Sequence, residues 1–282
     1  MSSTYTLTRQ SAPSMVLNSG SQIPAVGYGL WKQQGSEAKD SVRCAIESGY
    51  RHLDCATAYQ NHKEVGQAIR EAGVPRDELW ITSKVWGTHF DNPEEGLDDI
   101  LEELGVEYLD LLLLHLPVAF KRNPEDPKQL RGLPVDHDMK YADVWARMEK
   151  LPKSKVRNIG VSNLTVRALD ELLQTAKVTP AVNQVEMHPN LPQKKLLDYC
   201  KSKGIVVQAY SPLAQGQHEN PVVTDIADDL GVSPAQVVLS WGALRGTNIL
   251  PKSSTPSRIR ENLELIQLSE DHMRRIDALA RR

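Results

Sequence analysis

Short apolar runs alternate with longer amphipathic stretches along this 282-residue chain, eight times over. Strands are expected near Ala25–Gly29, Arg51–Asp54, Leu79–Lys84, Leu109–His115, Val156–Ser162, Ala181–Glu186, Ile205–Tyr210 and Thr247–Pro251. Several are apolar almost throughout, as in LDLLLL and GIVVQA, a pattern that suits parallel strands buried on both faces. Helices are expected over Ser36–Ser48, Lys63–Ala72, Pro93–Leu104, Tyr141–Leu151, Thr165–Gln174, Pro192–Lys203, Val222–Leu230, Pro234–Leu244 and Ser269–Leu279. In Thr165–Gln174 the apolar residues Val166, Leu169, Leu172 and Leu173 recur at helical spacing, with Asn163 or Thr165 as the cap. Asn92-Pro93 and Ser233-Pro234 each place a capping side chain before a first-turn proline.

Eight strand–helix units predict an α/β fold, a closed (β/α)8 TIM barrel. Met15–Gly20 reads as part of an N-terminal β-hairpin that plugs the barrel floor, and the chain stops in a short C-terminal tail. Glycine and proline, 17 of each, are spread evenly, so residues 1–282 form one domain. The one long irregular segment, Pro117–Lys140, follows the fourth strand on the face where barrels hold their active sites.

Composition excludes several classes. With 40% hydrophobic and 24% charged residues, this is no disordered chain, fibre or coiled coil. A net charge of −3, from 33 basic and 36 acidic residues, gives no nucleic-acid footprint and no polybasic membrane patch. The nearest basic run, Arg274-Arg275 with Arg281-Arg282, decorates the last helix. Cys44, Cys55 and Cys200 form neither a disulfide framework nor a zinc site and suit a reducing compartment. The first 14 residues lack the apolar core of a signal peptide. A cytoplasmic, monomeric protein without metal is expected.

A packed barrel interior has little room for charge, so polar residues that end apolar strands are functional candidates. Asp54 ends the second strand, Lys84 the third and His115 the fourth; Ser162-Asn163, Gln184, Glu186, Tyr210 and Lys252 sit at the ends of later ones. Singly, Lys84 reads as a surface lysine, Asp54 as a turn cap and His115 as a core histidine. Together, a carboxylate, a lysine and a histidine at successive strand ends make a proton-handling site. Two motifs mislead. Tyr59 and Lys63 match Y-x-x-x-K, but the Gly27-Tyr28-Gly29 turn lacks the third glycine of a dinucleotide fingerprint. Gly160-Val161-Ser162-Asn163-Leu164 resembles a nucleophile elbow, except that Leu164 replaces its last glycine, which weakens a serine hydrolase built on Ser162.

From Gly27 to Leu279 the chain resembles the aldo-keto reductases. The resemblance is carried by LDCATAYQNHKEVGQAI, ITSKVW, LLLLHLP with NIGVSN, and ILPKSSTPSRIRENL, in that order. It implies reduction of aldehydes or ketones to alcohols by hydride transfer from NADPH. The catalytic tetrad falls on Asp54, Tyr59, Lys84 and His115. Tyr59 is then the general acid, Lys84 favours its tyrosinate, Asp54 holds Lys84, and His115 orients the carbonyl as neutral imidazole. For the cofactor, the resemblance assigns Tyr210 to stacking on the nicotinamide and Ser162, Asn163 and Gln184 to its carboxamide. Ser211 and Leu213 open the loop over the pyrophosphate. Lys252, Ser253, Thr255 and Arg258 hold the 2′-phosphate, with Glu261 and Asn262 near adenine. Trp31 and Trp86, with His115, wall the substrate pocket. Three departures stand out: Leu116 follows His115 where many relatives have tryptophan, His62 follows Asn61 where they have glutamate, and no long C-terminal loop closes the pocket. Selectivity is then looser or set by Pro117–Lys140. The rival readings are a non-catalytic NADPH-sensing subunit of a larger complex, the Ser162 hydrolase, and the same chemistry run as an alcohol dehydrogenase.

Overall fold

The computed structural model describes residues 13–127, 129–216 and 220–280. Most of the N-terminal segment expected to lack a signal peptide, and Arg281-Arg282 of the basic run, lie outside the described residues. An antiparallel hairpin of β1 (Ser14–Val16) and β2 (Gln22–Pro24) comes first. Eight parallel strands follow, each hydrogen-bonded to the next in chain order: β3 (Tyr28–Gly29), β4 (His52–Asp54), β5 (Trp80–Val85), β6 (Leu109–Leu114), β7 (Val156–Ser162), β8 (Val182–Glu186), β9 (Val206–Tyr210) and β10 (Asn248–Leu250). A parallel bridge between Val26 and Ile249 joins the last strand to the first and closes the ring. The first strand is shorter than expected, Tyr28–Gly29, although the stretch before it also bonds to β10, through Gly27 N–H to the Ile249 carbonyl at 2.8 Å and Ile249 N–H to the Ala25 carbonyl at 2.9 Å.

The helices are α1 (Gly35–Glu47), α2 (His62–Ala72), α3 (Pro93–Leu104), α4 (Tyr141–Met148), α5 (Val166–Leu173), α6 (Lys194–Ser202), α7 (Pro221–Leu230), α8 (Pro234–Leu244), α9 (Pro256–Glu261) and α10 (Glu270–Asp277). Their starts follow local chemistry. Asn92 accepts from the Glu95 N–H ahead of α3, and Ser233 forms a reciprocal capping box with Gln236 ahead of α8. Thr165, not Asn163, caps α5. The α9 helix lies in a stretch for which the apolar spacing predicts none: only Ile259 within it is buried, so there is no repeat to read. Helices α2 and α3 meet closely at Gly66, where a Cβ would overlap the Leu104 carbonyl.

The sequence LDLLLL shows how the two faces divide. Leu112 and Leu114 join the main core between barrel and helices, whereas Leu111 and Leu113 join a separate cluster with Leu17, Ile23, Trp80 and Val182. That second cluster is the floor, sealed by the hairpin as expected. Above it the interior turns polar, with Asp54, Thr82, Lys84, Gln184, Gln208 and Asn248 all buried. The Pro117–Lys140 segment is irregular apart from a bridge between Phe120 and Val135. Among the described residues no helix is long and apolar enough to cross a membrane.

Candidate active site

Four side chains from three consecutive βα units converge at the C-terminal end of the barrel. Lys84 lies inside, fully buried, and its ammonium finds an acceptor for each of its protons: Asp54 Oδ2 at 2.7 Å, the Cys55 carbonyl at 2.8 Å and Tyr59 Oη at 3.2 Å. A buried ammonium is tolerable only when it is paired and hydrogen-bonded in this way. Tyr59 sits on a single 3₁₀ turn, Thr57–Tyr59, directly after β4. That turn is tied down from outside: Thr57 Oγ1 donates to the Lys84 carbonyl at 3.0 Å, Gln34 Nε2 to the Tyr59 carbonyl at 2.7 Å, and Asn61 Nδ2 to the Leu30 and Gln33 carbonyls. His62, the departure noted above, is buried against Ser83 Oγ at 2.9 Å and Glu103 Oε2 at 3.1 Å and takes no part in the site.

The electrostatics assign protons. Burial pushes the Tyr59 phenol up to about 12; Lys84 pulls the other way, as expected, without overcoming it. Tyr59 therefore carries its proton at neutral pH. Burial alone would lower Lys84, but Asp54 and Tyr59 outweigh it and leave the ammonium raised. His115 is lowered to about 3, first by burial and then by Lys84, so it is neutral imidazole. Its Nδ1 is buried without a partner. An orphaned N–H is rarer in proteins than an orphaned acceptor, which places the proton on Nε2. Its ring stands edge-on to Tyr59 at 5.9 Å and to Trp86 at 5.1 Å.

A cavity of about 940 Å3 opens onto Asp54, Tyr59 and His115 and runs across the strand ends. Ser162, Asn163, Gln184 and Tyr210 line its floor next to the tetrad. Asn163 holds a left-handed backbone, φ 63°, with its Nδ2 donating to the His115 carbonyl and Ser162 Oγ and its Oδ1 accepting from Tyr210 Oη at 3.0 Å. Ser162 Oγ donates to the Gln184 backbone carbonyl at 2.8 Å and so faces no histidine, which leaves the hydrolase reading without its base. Ser211, also left-handed at φ 49°, and Leu213 line the middle. Lys252, Ser253, Arg258, Glu261 and Asn262 line the far end.

Two expected residues lie off the cavity. Thr255 does not line it and instead precedes α9, its N–H donating to Ser253 Oγ at 3.1 Å. Trp86 is also outside the lining: it stacks on Phe120 at 5.5 Å and donates from its indole to the Leu130 carbonyl at 2.9 Å. It thus braces His115 and pins the Pro117–Lys140 segment instead of walling the pocket directly. Trp31, 43% exposed, does stand at the cavity, with Lys32 Nζ 4.2 Å over its ring. Lys32 and the Ser233–Ala235 start of α8 line it too, and sequence reasoning missed both. Lys32 follows directly on the Gly29–Trp31 turn, a signal that was available; nothing marks Ser233 beyond its role as a cap.

A family model described as the aldo/keto reductase family matches residues 25–281. The chain belongs to the aldo-keto reductases. Among similar proteins, aldehyde reductase YPR1 of Saccharomyces cerevisiae is 40% identical over 288 residues, covering 97% of this chain and 92% of its own. D-galacturonate reductase of Hypocrea jecorina is 42% identical, over 93% and 89%. Glycerol 2-dehydrogenase (NADP(+)) of the same yeast is 40% identical, over 94% and 90%. The aldose reductase of Schistosoma japonicum superposes with a TM-score of 0.88 at 35% identity, over 96% of this chain and 93% of that one. The barrel, the hairpin and the reductase family expected from sequence are thereby established for this aldo-keto reductase.

Proposed function

We propose that this aldo-keto reductase uses NADPH to reduce aldehydes or ketones to alcohols, with Tyr59 as proton donor. The observation that carries the reading is the Lys84 ammonium between Asp54 and Tyr59, beneath a cavity that His115 also faces. Relatives named as an aldehyde reductase and as an NADP(+)-dependent dehydrogenase support the substrate and cofactor.

The residues fit NADPH. At the tetrad end Ser162, Asn163 and Gln184 offer polar groups to a carboxamide, with the Tyr210 ring for stacking. At the far end Lys252 and Arg258 have no carboxylate within 4.0 Å among the described residues. Two cations beside Ser253 with no acidic partner among the described residues suit a 2′-phosphate, and an Arg fork suits it best. When bound, NADPH supplies the hydride that the carbonyl carbon takes up.

The chain's own residues handle the oxygen. His115 Nε2–H donates to it and sets its position. As negative charge builds there, the Tyr59 proton moves onto it, completing the alcohol. The tyrosinate left behind faces Lys84, whose proton stays on nitrogen because Asp54 and the Cys55 carbonyl hold it. These donors are in place before reaction, so little reorganisation is needed.

Carbonyl-dependent NADPH oxidation tests this. Tyr59→Phe should lose about 100- to 10,000-fold in kcat while NADPH binding persists. A sensing subunit would bind NADPH and turn nothing over even as wild type.

A further inference from the structure

The barrel's inner wall carries a row of carboxamides that the proton chemistry does not use. Gln184, Gln208 and Asn248 occupy registered positions on β8, β9 and β10, Gln184 opposite Gln208 and Gln208 opposite Asn248. All three are buried. Gln184 Nε2 donates to Asp54 Oδ1 at 2.9 Å and to Gln208 Oε1. Gln208 Nε2 donates to Asn248 Oδ1 at 2.6 Å, and Asn248 Nδ2 donates to the Pro24 carbonyl beside the hairpin.

A carboxamide turned over keeps its shape, so its direction needs a cause. Here both ends of the row can only accept. The Pro24 carbonyl requires an N–H from Asn248. Asn248 then shows its oxygen to Gln208, and Gln208 shows its own to Gln184. At the other end the Asp54 carboxylate, paired with Lys84, also requires an N–H from Gln184. Any single reversal sets two oxygens or two amino groups face to face and leaves buried groups unpaired. Gln184 is thus confined to one orientation, with both of its protons committed. Among the described residues its Oε1 has no partner; it is not one of the buried unpartnered atoms, and Gln184 lines the cavity.

We infer that Gln208 and Asn248 are positioning residues for the cavity, a polarised amide row, anchored on the Pro24 carbonyl, that holds Gln184 with its oxygen toward the ligand. An acceptor fixed there selects a ligand N–H, such as that of a nicotinamide carboxamide. This inference rests on the proposed NADPH site. Neither Gln208 nor Asn248 touches the cavity, so each acts only through Gln184.

Two readouts on the full chain test it. The first needs no cofactor: the side-chain amide of Gln184 in 15N-labelled apoenzyme, assigned by its loss in Gln184→Glu, should exchange slowly at both protons. Gln208→Met should release one of them to fast exchange. The second is fluorescence titration with NADPH and with adenosine 2′,5′-bisphosphate, which lacks the nicotinamide. Gln208→Met should weaken NADPH about tenfold, the worth of one hydrogen bond, and change the bisphosphate less than about twofold. Gln208→Glu should restore NADPH affinity, since a buried neutral acid accepts from Gln184 and donates to Asn248. Where Gln208→Met does not fold, Asn248→Ser, which cuts the anchor, takes its place with the same expectations. Fast exchange of the Gln184 amide in wild type, or equal losses for NADPH and the bisphosphate, would overturn the inference. A wild type that binds neither ligand yet protects both Gln184 protons would instead overturn the cofactor site and uphold the row.

Discussion

Replacing Lys84 by methionine removes a charge with little change in shape, and the structure says what should follow. The ammonium is fully buried and makes three hydrogen bonds, to Asp54, the Cys55 carbonyl and Tyr59. Lys84→Met strands the Asp54 carboxylate with Gln184 Nε2 as its remaining partner, and leaves the Cys55 carbonyl unpaired. Removing one member of a buried ion pair costs about 3–5 kcal/mol. Asp54→Asn with Lys84→Met removes both charges and keeps the amide-like shape at 54, so most of that loss should return. Urea unfolding of the four proteins at pH 7 closes a double-mutant cycle, and a coupling of about 2 kcal/mol or more is expected. Activity should not return with stability: without Lys84, Tyr59 loses the one influence that lowers its phenol, and carbonyl reduction stays at least about 100-fold down. Additive stability losses would mean that Asp54 and Lys84 do not depend on each other. Recovered turnover in the double variant would remove Lys84 from the proton chemistry.

Three further outcomes follow from the same geometry. Arg258→Ala should weaken NADPH by about 10- to 100-fold and NADH hardly at all, because only the former carries the 2′-phosphate; equal effects on both, by fluorescence titration, would contradict the assignment. With Tyr59 near 12 and His115 near 3, neither group titrates between pH 5 and 9, so neither should contribute an inflection to kcat/KM for an unionised aldehyde there; an inflection near 6.5 that disappears in His115→Gln would show that His115 titrates like a free histidine. His52, buried beneath the site with Nε2 on Thr82 at 3.0 Å, is lowered to about 3, mainly by burial. The unfolded chain takes up that proton below pH 6.5 and the folded one does not, so stability is present above 6.5 and falls by about 1.4 kcal/mol per pH unit as pH drops toward 3. His52→Met should flatten part of that slope in urea titrations across pH 4–7.

The barrel was legible because its strands are buried on both faces, which gives apolar runs of unmistakable length such as Leu109–Leu114. The site was legible for a related reason: a carboxylate, a lysine and a histidine at successive strand ends have no joint use in packing, and Asp54, Lys84 and His115 stand at three such ends. What escaped depends on distances in space. Trp86 follows a strand, as a pocket wall would, and only the Phe120 stack and the Leu130 carbonyl show that the Pro117–Lys140 segment takes its indole first. The net rise at Tyr59 escaped because proximity to Lys84 is readable from family spacing, whereas the burial that outweighs it is not.

The amide row was hidden more deeply, and for a reason that bears on how such a site is held. Gln208 and Asn248 lie one strand apart among apolar neighbours, and neither ends a run in the way that drew attention to Asp54. A barrel whose lower interior is apolar and whose upper interior is charged needs a layer between them where polar groups can be satisfied without water. Floor residues Leu111, Leu113 and Ile23 supply the dry base. Gln184, Gln208 and Asn248 supply the layer above it, ending on Pro24 of the same hairpin that carries Ile23. The hairpin is therefore more than a plug: it provides the terminal acceptor from which the direction of every amide up to Asp54 follows. At Asp54 the row meets the tetrad: one carboxylate oxygen accepts from Gln184 and the other from Lys84.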